Sequence, residues 1–287
     1  MKMKRKIEGP LLIAPATILI VMIMVVPLFY TLYCSFSNMD YMQFNGYVGL
    51  KNYIQILGDR NTWTSLLTTL VITFTGVAIS LVFGTLLAIW VDRKHGIIAY
   101  GIELIGLTPW VISMVVAALL WKWVLDGDMG LFNYLRNLVG LDNVYVFLKK
   151  NYAVMTTIFV IAWRTIGYSM VMILAGLKSL PGEVLEAAQV DGANAFTTFW
   201  KIKLPMIKTP MLISSIVLTM SNFNNVTIPM VMTGGGPGTA TNVISLMLYK
   251  TGFSYYQFGP ASALSVLVFV INIVFVVIYV KAVKYEI

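Results

Sequence analysis

Apolar residues in this chain do not alternate with polar ones; they run in six long blocks divided by short polar stretches. The blocks cover roughly Leu11–Tyr33, Leu66–Val91, Ile97–Trp121, Tyr152–Leu177, Pro205–Met232 and Pro260–Val280. Each reaches about 20 residues or more, the length a helix needs to cross hydrocarbon, where only a helix or a closed barrel satisfies its own backbone. The pattern predicts an all-α integral membrane protein with six transmembrane helices. No separate soluble domain stands between the blocks, so residues 1–287 read as one transmembrane domain with an inner segment at 178–204.

Within the blocks, the sparse polar residues fall on faces. Thr69, Thr73, Gly76, Ser80 and Gly84 share a narrow arc at the helical step, which predicts a stripe for close helix packing. Ser215, Thr219, Asn222 and Asn225 share an arc of about 120°, and Thr157, Arg164 and Tyr168 share another. At about 1.5 Å per residue, Asn222 and Arg164 lie near the bilayer middle. A charge there costs about 2.5–3.5 kcal/mol even on the gentler insertion scale, so Arg164 needs water or a partner. These faces make Thr219, Asn222, Asn225, Trp163, Arg164 and Tyr168 candidates for lining a cargo path. The competing reading is polar packing between helices, worth about 0.6–2 kcal/mol per bond. Pro109 and Pro229 are expected to kink their spans.

Composition agrees with the blocks. The chain is 59% hydrophobic and 11% charged, against roughly a quarter charged for a soluble domain. So few charges cannot cover a water-facing surface. The net charge of +8 is not gathered into a patch that nucleic acid would need. With the N-terminus inside, the inner segments hold Lys2, Lys4, Arg5, Lys6, Arg93, Lys94, Lys178, Lys201, Lys203, Lys208, Lys281 and Lys284, whereas the outer ones hold Lys51, Arg60, Arg136, Lys149, Lys150 and Lys250. That excess predicts both termini in the cytoplasm. Lys122, between Trp121 and Trp123, reads as an interface anchor. The first block exceeds a signal-peptide core of about 7–15 residues and no small-x-small cleavage site closes it, so it reads as an uncleaved span.

The remaining chemistry is thin. Cys34 stands alone, which excludes an internal disulfide and leaves it a small apolar residue. His95 reads as a solvated turn residue, and Glu103 as an interfacial acid within reach of Arg93 or Lys94. No H-E-x-x-H, G-x-S-x-G or buried histidine supports an intramembrane enzyme. No G-x-x-x-x-G-K-[ST] loop occurs, since the glycines at 234–238 lead into Thr239 rather than lysine. An ion-coupled carrier would call for intramembrane carboxylates or inverted repeats, and neither is evident.

The inner segment is unusual for a loop. Residues 186–205 read EAAQVDGANAFTTFWKIKLP. Pro181, Glu183 and Glu186 suit the start of a helix that ends at the Asp191-Gly192 turn pair. Asp191 is expected to cap a second short helix through Phe196 and Phe199, with Pro205 opening the fifth span. Ala187 and Ala188 keep one surface flat, and Val184, Leu185, Phe196, Phe199 and Trp200 supply apolar area for a partner. The result is a helix–turn–helix at the cytoplasmic face.

Glu186, Ala187, Ala188, Gly192, Ile202, Leu204 and Pro205 fall in the pattern Glu-Ala-Ala, three residues, Gly, nine residues, Ile-x-Leu-Pro. This resembles the coupling-loop signature of bacterial ABC importer permeases. Leu174-Ala175-Gly176-Leu177 with Leu180-Pro181, Thr233-Gly234-Gly235-Gly236-Pro237 and Asn222-Phe223-Asn224-Asn225 are similar to the carbohydrate, maltose-type branch. The first outer loop is short, whereas some maltose-type relatives carry a large outer domain there. The resemblance implies the type I ABC importer fold in a bacterial cytoplasmic membrane and a permease that hydrolyses no ATP itself. It implies ATP and Mg on two cytoplasmic ATPase subunits, which the segment around Glu186, Asp191 and Gly192 would contact. It further implies a second, related permease subunit and an extracytoplasmic solute-binding protein that delivers a sugar. Sugars are held by hydroxyl hydrogen bonds and aromatic faces, which Asn222, Asn225, Trp163 and Tyr168 offer. Amino-acid, phosphate or metal cargo, and an ion-coupled carrier, remain the alternatives.

Overall fold

The structure is a computed structural model that describes residues 13–94 and 96–284. The basic cluster from Lys2 to Lys6, the start of the first block at Leu11 and the turn residue His95 lie outside the described residues. Helix α1 covers Ile13–Ser35 and is followed by a hairpin of β1 (Ser37–Asp40) and β2 (Gln43–Tyr47). Next come α2 (Lys51–Gly58), α3 (Arg60–Asp92), α4 (Gly96–Val111), α5 (Met114–Val124) and α6 (Leu131–Leu138). Helix α7 (Lys150–Lys178) leads into α8 (Gly182–Val190) and α9 (Ala195–Met206). The chain continues as α10 (Lys208–Phe223), α11 (Thr227–Thr233), α12 (Ile244–Tyr249) and α13 (Phe258–Lys284).

Among the described residues, four helices, α1, α3, α7 and α13, are long and apolar enough to cross a membrane unbroken. The third block is instead the pair α4 and α5, bent by 95° at Ile112-Ser113. The fifth block differs too. Pro205 lies in the last turn of α9, a 63° bend at Ile207 separates α9 from α10, and a second break at Asn224–Val226 precedes α11. Neither proline marks its break. Pro109 lies inside α4, and Pro229 is the third residue of α11, where its missing N–H is not needed. Among the described residues, the hairpin is the one departure from an all-helical reading. Its turn puts Tyr41 and Met42 at φ 49° and 61°, the doubly left-handed form that strand twist favours.

Contacts divide the chain into two compact units. The first joins Met1–Trp63 to Leu248–Ile271. Within it, Asn52 is buried and its Nδ2 donates to the carbonyls of Ser35 and Ser37, each at 2.9 Å. The Tyr41 N–H donates to the Tyr256 carbonyl at 2.9 Å and their rings stack at 5.2 Å, so the hairpin is fastened to the segment that leads into α13. Cys34 is buried here, as a small apolar residue would be.

The second unit, Thr64–Met247 with Asn272–Ile287, is built around α7. The stripe on α3 packs as expected. Gly76 lies against Ile161, Ser80 Oγ shares a 2.7 Å hydrogen bond with Thr165 Oγ1, and Gly84 meets Ser169 and Met170. On the far side, the Gly167 backbone touches the Gly106 carbonyl of α4, with no room for a Cβ between them. Apolar clusters complete the packing, one around Ile72, Ile161, Ile228 and Leu246 and one around Val91, Met170, Ile173 and Ile207. Lys122 also makes a contact that its sequence context does not show: its Nζ donates to the Val231 carbonyl at 3.1 Å, near the C-terminal end of α11.

Candidate functional site

The segment read from sequence as 178–204 forms the predicted helix–turn–helix, its second helix running on to Met206, with one shift in its caps. Helix α8 starts after Pro181 and carries Glu183 in its first turn, where an acid suits the helix dipole. It ends on Asp191, followed by Gly192 at φ +78°. The Gly192 N–H donates to Gln189 O and the Ala193 N–H to Ala188 O, at 3.0 and 2.9 Å. This paired pattern is the Schellman ending, which needs a left-handed residue at Gly192. Asp191 is therefore the end of the first helix and does not start the second. That cap falls to Asn194, whose Oδ1 accepts from the Thr197 N–H at 2.8 Å. The two extra residues of the Schellman turn account for the shift.

Helix α9 widens into a π turn at Phe199–Lys203 before it meets Ile207, which is fully buried in the cluster with Val91 and Ile173. The segment thus has a buried root and an exposed head. Glu186 and Ala187 are exposed while Ala188 is buried. Val190 is 87% exposed, Phe196 72% and Trp200 52%, so the two helices of the segment present apolar side chains, as well as the exposed Glu186, that nothing covers among the described residues. Ile202 and Leu204 are half-buried, and Pro205 is exposed. Two ion pairs bracket the segment. Lys178 Nζ lies 3.1 Å from Glu103 Oε1, and Lys203 Nζ lies 3.0 Å from Asp92 Oδ2. Glu103 therefore pairs with Lys178, not with Arg93 or Lys94, because α4 and α7 meet at Gly106 and Gly167 and bring its carboxylate to the end of α7.

The polar residues of the fourth and fifth blocks do not form one lining. Thr219 is buried and its Oγ1 shares a 2.7 Å hydrogen bond with Tyr279 Oη, which also meets Ser215 Oγ. Asn225 is buried and caps α11: its Oδ1 accepts the Ile228 N–H at 3.1 Å, and its carbonyl accepts from Ser245 Oγ. Asn222 faces the Gly76 stretch of α3, and no group among the described residues accepts from its Nδ2. Thr157 turns back to the Ala153 carbonyl.

Arg164 and Tyr168 come together over Trp110. The Arg164 Nη2 donates to the Trp110 carbonyl at 3.1 Å, its guanidinium lies 5.0 Å from the indole, and Tyr168 stacks on the same indole at 4.6 Å. That carbonyl belongs to the last turn of α4, which the break at Ile112 leaves without a helical donor. A cation at a helix C-terminus also complements the dipole. The mid-span charge is therefore employed in closing a broken helix. Trp163 points elsewhere, edge-on to Trp121 at 5.5 Å, and lines an apolar crevice of about 530 Å³ with Phe83 and Phe159.

One exposed polar pair lies outside that set. Asn224 Nδ2 donates to Asn272 Oδ1 at 3.1 Å, and Asn272 Nδ2 returns a bond to Asn224 Oδ1 at 3.2 Å. Asn272 was visible in the sequence as a lone amide in an apolar run from Ala263 to Val280.

Comparison with known proteins decides the family. Residues 10–283 match the family described as binding-protein-dependent transport system inner membrane component. The chain belongs to that family. This inner membrane component is 30% identical over 278 residues, 96% of its own length and 89% of the relative's, to the sulfoquinovosyl glycerol transport system permease protein SmoG of Agrobacterium fabrum. It is 33% identical to the trehalose transport system permease protein SugA of Mycobacterium tuberculosis, over 93% of this chain and 87% of SugA. The trehalose/maltose transport system permease protein MalF of Thermococcus litoralis is 29% identical, over 97% and 94% of the two chains. In fold, the inner membrane component is similar to a chain from the crystal structure of a bacterial alginate ABC transporter in complex with alginate pentasaccharide-bound periplasmic protein. The TM-score is 0.83 at 20% identity, covering 97% of this chain and 94% of that one.

Proposed function

We propose that this chain is the permease subunit of an ATP-driven importer and forms half of the pathway for a sugar or oligosaccharide. The observation that carries the reading is the α8–α9 segment, whose root is buried at Ile207 while Glu186, Val190, Phe196 and Trp200 stand uncovered. Such a surface suits a cytoplasmic ATPase subunit, which would bind the ATP and Mg. Glu186 supplies an ionic contact there and Gly192 holds the two short helices at their angle. Both termini lie in the cytoplasm, a second permease subunit completes the pathway, and a solute-binding protein delivers cargo from outside. The sugar assignment draws on the relatives, three of which are named for sulfoquinovosyl glycerol, trehalose or maltose transport.

The complex reconstituted with its ATPase subunits and binding protein tests this reading. Uptake of radiolabelled sugar is expected to stop when ATP is depleted with the proton gradient held. Uptake that follows the proton gradient and ignores ATP would establish an ion-coupled carrier instead.

The pathway face is assigned to Asn224 and Asn272. Thr219 and Asn225 are buried and bonded to Tyr279 and within α11, whereas Asn224, which also donates to the Met220 carbonyl, is exposed and Asn272 half-buried, so both amides stand where sugar hydroxyls can meet them. Replacing either by Ala is expected to raise the half-saturating sugar concentration about tenfold, as the loss of one or two net hydrogen bonds implies. Transport titrations on the assembled complex measure this, and an unchanged curve removes the pair from the pathway.

A further inference from the structure

We infer that the Asp92–Lys203 ion pair is a mechanical link through which displacement of the α8–α9 segment reaches the inner end of α3; the inference rests on the permease reading. Asp92 is the last residue of α3, and Lys203 closes the π turn that precedes the buried root at Ile207. Their charged atoms stand 3.0 Å apart, with the side chains only 20% and 24% exposed.

Three observations separate this pair from an ordinary surface contact. An acid at a helix C-terminus sits at the unfavourable end of the dipole, so α3 gains nothing from Asp92 unless a cation meets it. Beside the pair lies a crevice of about 350 Å³ lined by Ile89, Arg93, Gln189, Ala193 and Phe199, so on this side the segment stands off α3. Where the crevice stands open, no packed side chains carry a displacement across it, and the ion pair spans the gap at its edge. Finally, α3 is bonded onward: Ser80 meets Thr165, Gly84 meets Ser169, and Gly76 lies against Asn222 of α10. A tug on Asp92 therefore reaches α7 and α10, and α10 ends at Asn224 of the proposed pathway. The segment acts on α3 directly as well as on its covalent neighbours α7 and α10.

Glu103–Lys178, with side chains 28% and 56% exposed, provides the control, since solvent screens such a pair. The experiment uses the full complex in proteoliposomes and reads ATP hydrolysed per sugar imported. D92N and K203Q are each expected to raise that ratio about fivefold, the scale of a partly shielded ion pair, while E103Q changes it less than twofold. The swap of Asp92→Lys with Lys203→Asp should return the ratio toward that of the native complex. Equal ratios in D92N and the native complex, or a swap no better than its single changes, overturn the link. If D92N does not assemble, D92E is read instead: it keeps the charge and lengthens the arm, so a raised ratio supports the link and an unaltered one overturns it. Native complex that imports without ATP refutes the permease reading itself, a result distinct from either.

Discussion

Gly192→Pro is expected to abolish ATP-driven uptake in a protein that still inserts and binds its partner subunits. The Schellman ending of α8 puts Gly192 at φ +78° and uses its N–H to reach Gln189. Proline holds φ near −65° and has no N–H. The strain of a left-handed residue and one lost hydrogen bond together cost about 2–4 kcal/mol, so the native turn gives way to another. Under the proposed function, the two short helices then meet the ATPase subunit at a wrong angle. A substitution series separates backbone from bulk. No atom lies within 4 Å of where a Gly192 Cβ would be, so side-chain volume meets nothing in this chain. Asn visits the left-handed region more readily than Ala. Transport should therefore fall in the order Gly, Asn, Ala, Pro. If Ala transports better than Asn, bulk against the motor subunit and not backbone conformation is the reason for glycine, and the account of the turn is wrong.

Gly167→Ala should cost more stability than alanine at the other close-packed glycines of the membrane helices, Gly76, Gly84, Gly106 and Gly176. The Gly167 Cβ position coincides with the Gly106 carbonyl, an atom of the α4 backbone. A flexible side chain would yield, but here two helices must part. Overpacking costs about 1–3 kcal/mol and sometimes more, and a backbone obstacle puts this case at the upper end. The apparent melting point in detergent is expected to fall by about 6–12 °C. Gly101, on α4, has no neighbour within 4 Å of its Cβ position. Gly101→Ala should leave the melting point unchanged or slightly higher, because alanine favours a helix. Equal melting points for the two variants would show that α4 and α7 are not in backbone contact.

What sequence can and cannot reveal here follows from the range of the forces involved. The apolar blocks are legible because hydrocarbon thickness sets one length, which is counted along a line. The breaks at Ile112 and Asn224 are not. The Trp110 carbonyl is answered by Arg164, 54 residues away, and no local pattern announces so distant a partner. The Asp191-Gly192 turn was legible from its glycine. Its successor's cap was not, since Asp191 and Asn194 are both good caps and the Schellman hydrogen bonds chose between them. A helical wheel placed Ser215, Thr219, Asn222 and Asn225 together but gave no sign of what stood opposite. Tyr279, from the last helix, takes Thr219 and Ser215, and the exposed polar pair is Asn224 with Asn272. The hairpin at Tyr41-Met42 carries neither the glycine nor the asparagine that such turns usually show, so its pattern is silent.

Among the described residues, helix α1 leaves its most apolar stretch unburied within its own unit. Its greasy flank is thus finished by whatever lies outside, whether acyl chains or another subunit, and contributes little to the cohesion of the isolated polypeptide. Losses there should register as failed assembly long before they register as failed folding.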